Sequence, residues 1–407
     1  MRILHTADWH LGKKLDHFSR LEEQRIVMDE ICSIADDQNA DLIIVAGDLF
    51  DTFNPPVEAV DLLYKTLKRL TNNGKRPVIA IAGNHDSPDR IDSPNPLARE
   101  CGILFVGNPD VAIPKMIIKD GFEITQSENG FLEIKLAHYN FPIRIITTPY
   151  ANEMRLKTYL GAENKEQQLN QLLQTSWAKL ADKYCDIHGV NILTTHLYML
   201  KRGGEFLEEP DGEKPLRIGN ADIIYTDCIP QQIQYTALGH LHKYQNVGGH
   251  SSPVVYSSSP LSYSFSEAGQ QKKVVLIEAQ PNDEVKYTAI PLVSGRTLHR
   301  KRFNTIDLAV EWLLANPYCL VELTLVSVTF FTTHDLKRIH ESHSGIIFII
   351  PIIQNETNQE LQTPKVNLDQ NIQGLFADYF QSKYKQQPNE EILDLFNEII
   401  GSQVKNE

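Results

Sequence analysis

Short apolar segments that alternate with helical stripes constrain the fold of this chain more than any other feature of its sequence. Residues 2–7, 41–46 and 77–82 are each typical of a buried strand. Residues 20–38 and 62–70 carry apolar side chains at helical spacing. The alternation of strand and helix predicts an α/β fold with a parallel sheet and crossover helices.

The later segments divide the chain into three predicted parts. Further strands are expected at residues 143–148, 191–195, 235–238, 254–256 and 274–277, which places a first domain at residues 1–290. Helices at 305–315 and 335–341 and strands at 320–326 and 346–350 predict a small α/β domain at residues 291–362. A C-terminal helical segment is predicted at residues 363–407. Its two apolar stripes are Leu375, Phe376, Tyr379 and Phe380, and Ile392, Leu395, Phe396 and Ile399.

The composition constrains the expected cellular location of the chain and the partners it can bind. Its net charge of -13, from 39 Lys and Arg against 52 Asp and Glu, argues against tight nonspecific binding to nucleic acid without a metal or a basic partner. The five cysteines form no CxxC pair, so neither a disulfide framework nor a structural zinc site is expected. No apolar run approaches the ~20 residues that span a bilayer, and no leader pattern is present, so a cytoplasmic location without a membrane segment is expected.

Residue types that bind metals follow five of the predicted strands. They are Asp8 and His10, Asp48, Asn84 and His85, His196, and the pair His240 and His242. Ligands of open α/β sheets bind in the crevice beyond the carboxyl ends of the strands, so these side chains are expected to converge. Residues two apart in an extended chain point to the same side, which lets Asp8 and His10 face one site together.

Without His85, the predicted ligand set contains two carboxylates, one amide and four imidazoles, and no thiolate. A mixed oxygen and nitrogen set suits Mn, Fe or Zn, and seven ligands exceed the needs of one tetrahedral ion. The pattern therefore predicts two divalent ions, with Asp48 as the expected bridge. Such pairs of ions serve in-line displacement at phosphorus and lower the pKa of bound water towards ~7.

The motifs that carry these residues resemble the signature of the calcineurin-like metallophosphoesterases. The motifs are Asp8-Trp9-His10, GDLFD from Gly47 to Asp51, GNHD from Gly83 to Asp86, the single His196, and GHLH from Gly239 to His242. Within that superfamily, the chain resembles the SbcD-type nuclease subunits of the bacterial SbcC/SbcD complex. The features that carry this likeness are the opening MRILHTADWHLGK, residues 237–245 and residues 256–267, and the resemblance extends to about residue 360.

The resemblance implies a four-layer αββα nuclease core, a small α/β capping domain, and C-terminal helices that dock on the coiled-coil base of the SbcC ATPase. One ion would be held by Asp8, His10, Asp48 and His242, and the other by Asp48, Asn84, His196 and His240. His85 would be a catalytic histidine that binds no metal, and Asp86 would orient its ring. Mn2+ is the expected ion, ahead of Mg2+, Fe2+ and Zn2+.

The activity implied by the resemblance is cleavage of DNA in repair, recombination and replication. It would combine 3′–5′ exonuclease action at double-stranded ends with endonuclease action at hairpins and single strands. The expected assembly is a homodimer of this chain within a heterotetramer with two SbcC-type ATPase chains, associated with the nucleoid. The sequence has no GxxxxGK[ST] phosphate loop, so any ATP dependence is expected to come from the partner.

Two departures and two alternatives accompany this interpretation. Asp51 stands where archaeal and eukaryotic relatives carry a histidine, and Ser258 stands where the family has a glycine. Phosphatases of the superfamily usually show GDxxDRG and GNHE, whereas Thr52 follows Asp51 here and Asp86 ends the second motif. Nucleotidases and cyclic-nucleotide phosphodiesterases keep the motifs but would not need a capping domain. The other alternative is a scaffold subunit with an idle metal site, against which the complete ligand set argues.

Overall fold

The computed structural model describes residues 1–160, 164–210, 223–327 and 331–353, and residues 374–377, 379, 380, 388, 393 and 396 of the C-terminal segment. Met1–Ile352 form one compact unit and Ile353–Glu407 a second. The α-helices described in the first unit are Leu21–Asp37, Val57–Leu70, Pro88–Asp92, Asn95–Glu100, Glu153–Leu156, Lys165–Tyr184, Ile306–Ala315 and Thr333–Ser342. None of these described helices has the length and apolar character of a membrane span.

The first sheet has six strands. In spatial order they are Lys286–Pro291, Lys273–Glu278, Arg2–Thr6, Leu42–Ala46, Val78–Ile81 and Ile103–Val106. The last four of this order pair in parallel, and the first two pair antiparallel. Helices Leu21–Asp37 and Val57–Leu70 cross over between the parallel strands, which confirms the predicted strand and helix alternation.

The second sheet has eight strands. In spatial order they are Gln245–Asn246, Val254–Tyr256, Tyr235–Gly239, Val190–His196, Ile143–Thr148, Phe131–Leu136, Phe122–Glu128 and Met116–Ile117. The strands that end at Thr148, His196, Gly239 and Tyr256 pair in parallel, so their carboxyl ends lie at one edge. Two short pairs of strands lie outside the larger sheets, Lys14–Leu15 with Phe18–Ser19 and Tyr198–Leu200 with Ile223–Tyr225.

Apolar side chains on both faces of the two sheets produce four layers. Ile44 of the first sheet and Ile192 of the second belong to one buried cluster between the sheets. Helices Leu21–Asp37 and Val57–Leu70 pack on the outer face of the first sheet, and helix Lys165–Tyr184 packs on the outer face of the second. Burial of each such aliphatic side chain contributes roughly 1.5–3 kcal/mol. The order helix, sheet, sheet, helix confirms the predicted αββα fold.

A third sheet, called here the outer sheet, consists of Thr297–Phe303, Cys319–Ser327 and Ile346–Ile353. Helices Ile306–Ala315 and Thr333–Ser342 accompany it, and each begins at a threonine whose hydroxyl accepts a backbone N–H of the first turn. Both helices were predicted. Strand Thr297–Phe303 was expected only as a basic stretch, and its Arg300 pairs with Glu322 at 2.8 Å. The predicted boundaries at residues 290 and 362 stay predictions.

In the second unit, residues 374–377, 379 and 380 are helical. The ring of Phe376 stacks on that of Phe396, with 3.9 Å between centroids and 11° between planes. The first predicted stripe therefore lies on a helix. Ile392, Leu395 and Ile399 of the second predicted stripe lie outside the described residues.

Candidate metal centre

The carboxyl ends of strands from both sheets meet at one place. The first sheet contributes Asp8, His10, Asp48, Asn84 and His85, and the second contributes His196, His240 and His242. Contacts cross between the sheets, since Asp8 Oδ1 accepts the backbone N–H of His240 at 2.8 Å. Nε2 of His196 lies 2.9 Å from Oδ1 of Asn84. All of these side chains are buried, and three of the predicted ligands, Asp8, His10 and Asp48, offer ligand atoms within 4.8 Å of one another.

Close packing between the strand ends explains the glycines that precede two of the ligands. A Cβ atom at Gly83 would lie 2.0 Å from Oδ1 of Asp48. A Cβ atom at Gly239 would lie 1.8 Å from the carbonyl oxygen of Ala46. Both distances are far below van der Waals contact, so only glycine fits at these positions.

Four of the predicted ligands have positive φ angles, a backbone conformation that residues other than glycine rarely adopt. The φ angles of Asp8, His10, Asp48 and His240 are 55°, 43°, 48° and 105°. Each costs on the order of 1 kcal/mol. Backbone hydrogen bonds hold two of them, because the N–H of Asp8 donates to the carbonyl of Gly47 at 3.0 Å and that of His10 to Asp48 at 2.9 Å. Strained backbone conformations of this kind are common at functional sites.

Ser258, at a position where the resemblance predicts a glycine, also has a positive φ, of 84°. Its hydroxyl accepts the backbone N–H of Lys273 at 2.9 Å and donates to the carbonyl of the same residue at 3.1 Å. These two bonds hold a serine in a left-handed conformation that favours glycine.

Asp48 lies between two groups of predicted ligands. Its Oδ2 is 3.5 Å from Nε2 of His10 and 3.3 Å from Nε2 of His196. Nε2 of His10 is in turn 3.0 Å from Nε2 of His242. Ligand atoms held about 2.1 Å from one ion stand roughly 3.0 to 3.4 Å apart. The observed spacing therefore suits metal coordination, with Asp48 in a position to serve both groups.

Acceptors at Nδ1 orient two of the histidine rings. Nδ1 of His196 lies 2.9 Å from the carbonyl oxygen of Ala46. Nδ1 of His242 lies 3.3 Å from Oε1 of Glu267. An acceptor there keeps the proton on Nδ1, so in the neutral ring the lone pair is on Nε2, the atom that faces the other predicted ligands.

The charges of this centre favour a cation. Burial would raise the pKa of Asp48, yet the neighbouring His196, His85 and His10 hold that pKa well below its usual value. Burial would lower the pKa of His196, but Asp48 and Asp8 raise it to about 9. Oδ2 of Asp8 is buried without a hydrogen-bond partner among the described residues. A divalent ion would satisfy this oxygen and take the place of the proton on His196.

Two groups of three side chains offer ligand atoms within 4.8 Å of one another, namely Asp8, His10 and Asp48, and His10, Asp51 and His85. Asp51 was not a predicted ligand. Its Oδ1 lies 3.7 Å from Nδ1 of His10 and 2.9 Å from Nζ of Lys13. The residues present thus fit a divalent ion, while the division of the ligands between two ions stays a prediction.

Asp86 supports the backbone around the centre. Its carboxylate accepts, at 2.8 to 3.0 Å, the N–H groups of Gly83, Leu49 and Phe50. Burial and the charge of Asp48 raise the pKa of Asp86. The ring of His85 is held at Nδ1 by the carbonyl of Asp51, at 2.7 Å. The prediction that Asp86 orients this ring stays a prediction, and the hydrogen bonds of its carboxylate join two loops through their backbone.

Three largely buried charged residues at the centre were not predicted. Arg155 donates to two carbonyls of the GNHD segment, both at 2.8 Å. Glu209 and Glu267 contact the rings of the two GHLH histidines, at 2.9 and 3.3 Å. These contacts join residues 25 to 72 positions apart, so no local pattern in the sequence indicates them.

The sequence of this chain matches one protein family and is similar to several known proteins. Residues 1–244 match the family described as calcineurin-like phosphoesterase. The SbcD subunit of the SbcCD nuclease of Bacillus subtilis is 32% identical over 415 residues, which cover 98% of this chain and 98% of that protein. The protein of the same name from Staphylococcus epidermidis is 32% identical over 346 residues, 84% of this chain and 83% of that one. The crystal structure of TT1561 of Thermus thermophilus covers 71% of this chain and 98% of its own, at 12% identity and a TM-score of 0.32.

Proposed function

Since the chain belongs to the calcineurin-like phosphoesterases, and within them to the family of the SbcD subunit of the SbcCD nuclease, we propose that it hydrolyses phosphodiester bonds of DNA. The observation that carries this proposal is the position of Asp48. Its Oδ2 lies 3.5 Å from Nε2 of His10 and 3.3 Å from Nε2 of His196. A carboxylate between two groups of ligands is what a site for two adjacent cations requires.

The proposed ligands form two sets that share Asp48. One set is Asp8, His10, Asp48 and His242, and the other is Asp48, Asn84, His196 and His240. When bound, two divalent ions would neutralise phosphate charge and lower the pKa of a water molecule that attacks phosphorus. Mn2+ is the proposed ion, ahead of Mg2+, Fe2+ and Zn2+, because the set mixes oxygen with nitrogen and contains no thiolate.

His85 is the proposed catalytic residue that binds no metal. Its Nδ1 is held by the carbonyl of Asp51, and its ring lies edge-on to that of His10, with 4.8 Å between centroids. In its doubly protonated form, the ring would keep this bond at Nδ1, and Nε2 is the proposed donor of a proton to the leaving oxygen or the proposed stabiliser of charge in the transition state. Asp86 contributes indirectly, by fixing the backbone of the loops around His85.

The proposed reactions are 3′–5′ exonuclease action at double-stranded ends and endonuclease action at hairpins and single strands. The proposed partner is an SbcC-type ATPase, since both relatives are named as subunits of an SbcCD nuclease. Residues 1–290 would form the nuclease domain, residues 291–362 the capping domain, and residues 363–407 the segment that docks on the ATPase. A heterotetramer with two copies of each chain would act on nucleoid DNA in the cytoplasm, in repair, recombination and replication.

The test is cleavage of an end-labelled linear duplex by the purified chain in Mn2+, with and without the ATPase. Asp48→Asn is expected to lower the rate at least about 100-fold, because it removes the charge shared by both proposed sets. Asp41→Asn is the matched control, since Asp41 precedes the same strand and binds the backbone N–H of Arg2 and the hydroxyl of Tyr139. Full activity of Asp48→Asn would refute the two-ion site.

A small diester, bis-p-nitrophenyl phosphate, separates the chemistry from the substrate. Cleavage of both the small diester and DNA supports the nuclease. Cleavage of the small diester alone, with DNA intact even in the presence of the ATPase, would favour a small-molecule phosphodiesterase. Activity on neither substrate with Mn2+ bound would favour the scaffold alternative.

A further inference from the structure

A buried ion pair lies beside His242. The side chains of Glu267 and Lys272 are only 2% and 7% exposed. Oε1 of Glu267 lies 3.3 Å from Nδ1 of His242, and Oε2 accepts a hydrogen bond from Nζ of Lys272. The same Nζ donates to the backbone carbonyl of His242 at 2.8 Å. The pair therefore contacts both the ring and the backbone of this histidine.

We propose that Glu267 and Lys272 are positioning residues that fix the ring of His242 for metal binding. The inference rests on the metal centre proposed above and adds to it a pair of residues behind the ligands. A buried ion pair contributes little net stability compared with well-packed apolar side chains, because both charges must leave water. Stability alone therefore does not explain why this pair lies against a ligand, whereas orientation of the ligand does.

The contact at Nδ1 determines which nitrogen of His242 binds a cation. A carboxylate acceptor keeps the proton on Nδ1, so the lone pair is on Nε2, which faces Nε2 of His10 at 3.0 Å. The negative charge of Glu267 also makes the ring a more basic ligand. Without Glu267, the ring could take the other tautomer or another orientation, and its affinity for a metal would fall.

The turn that contains Glu267 holds the carboxylate in place. Its Oε1 accepts the backbone N–H groups of Tyr263 and Ser264, both at 2.9 Å. Ser264 begins the short helical turn Phe265–Glu267 with a capping box, in which serine and glutamate satisfy each other's backbone N–H groups. With Lys272 at Oε2, both oxygens of the buried carboxylate are engaged, as a buried charge requires.

The test measures the Mn2+ dissociation constants of the full chain by isothermal titration calorimetry. Glu267→Ala removes the acceptor and is expected to weaken one of the two sites by about 10- to 100-fold. Glu267→Gln keeps an acceptor oxygen but loses the charge, so its affinity is expected to lie between that of the wild type and that of the alanine variant. Glu133→Gln is the matched control, since Glu133 is a buried carboxylate paired with Arg144 at 2.8 Å and should keep both native affinities.

A double variant separates positioning from folding. Glu267→Gln combined with Lys272→Met removes both charges, so no unpaired ion stays buried. We expect it to unfold near the wild-type temperature in EDTA and to lose about tenfold in Mn2+ affinity. Native Mn2+ affinity at both sites in this folded double variant would overturn the proposal, and so would a lowered unfolding temperature without a loss of affinity. A wild-type chain that binds no Mn2+ would instead refute the metal centre itself.

Discussion

His5 gives the fold a dependence on pH that one substitution should remove. Its ring is fully buried, with Nε2 3.1 Å from the carbonyl oxygen of Leu238 and Nδ1 3.2 Å from the hydroxyl of Tyr235. Burial lowers the pKa of His5 from 6.5 to about 3. Because the folded pKa lies below the unfolded one, acid protonates the unfolded chain first. Stability is therefore lost as the pH falls from about 6.5 towards 3.

The magnitude follows from proton linkage. At pH 5 the unfolded chain gains about 2 kcal/mol by protonating this one histidine, and at pH 7 it gains about 0.2 kcal/mol. The folded chain gains almost nothing at either pH, since both lie well above the folded pKa. His5 alone is therefore expected to lower the free energy of unfolding by about 2 kcal/mol between pH 7 and pH 5.

His5→Gln isolates this effect, because glutamine offers a donor and an acceptor at the same position but does not titrate. Urea unfolding in EDTA measures the free energy of unfolding of both proteins. At pH 7 the variant should be less stable by about 1 kcal/mol, and at pH 5 its stability relative to the wild type should rise by about 2 kcal/mol. All other histidines are present in both proteins, so their contributions cancel in the difference between the two free energies of unfolding. A difference that stays constant between pH 7 and pH 5 would refute a neutral, buried His5.

Three further predictions concern the site and the core. His85→Gln should slow DNA cleavage by about 10²- to 10⁴-fold. It should slow cleavage of bis-p-nitrophenyl phosphate much less, because p-nitrophenolate leaves without a proton. Equal losses on both substrates would contradict the role of His85 as a general acid. Arg155→Met removes the hydrogen bonds to Gly83 and Asp86 and should lower the free energy of unfolding by about 1.5–3 kcal/mol, whereas an unchanged urea midpoint would show that these bonds contribute nothing net. Ile79 lies in the cluster between the sheets, and Ile79→Ala should lower the free energy of unfolding in urea by about 2–5 kcal/mol while the folded protein keeps its Mn2+ affinity. A smaller loss would mean that the neighbouring side chains collapse into the cavity.

Three parallel strands of the first sheet were predictable because they are buried on both faces and read as continuous apolar runs, as in Leu42–Ala46. The fourth, Ile103–Val106, was not predicted although it is equally buried. Two elements had local signals that the prediction did not use. The hairpin of Phe122–Glu128 and Phe131–Leu136 turns at Asn129 and Gly130, a pair typical of tight turns. Helix Lys165–Tyr184 carries a buried apolar stripe at helical spacing. Both elements could therefore have been predicted from the sequence.

The contacts that orient the ligands were not predictable, because they join segments that only tertiary packing brings together. Glu267 is 25 positions from His242, and its own segment has no metal-binding pattern. Arg155 is 72 positions from the carbonyl of Gly83 that it binds. The hydrogen bonds that the carboxylate of Asp86 accepts from backbone N–H groups were likewise not predicted from its place in the GNHD motif.

The left-handed backbone at the strand ends places conformational strain at the residues proposed to bind metal. Asp8, His10 and Asp48 have positive φ angles that glycine would adopt more easily, so glycine would relieve about 1 kcal/mol of backbone strain at each position while removing a proposed ligand. At Asp8 and Asp48 this gain would be offset by the loss of the bonds that their carboxylates accept from the backbone N–H groups of His240 and His85, both at 2.8 Å. The strain of the backbone and the bonds that compensate for it therefore meet in the same side chains that the proposed metal site needs.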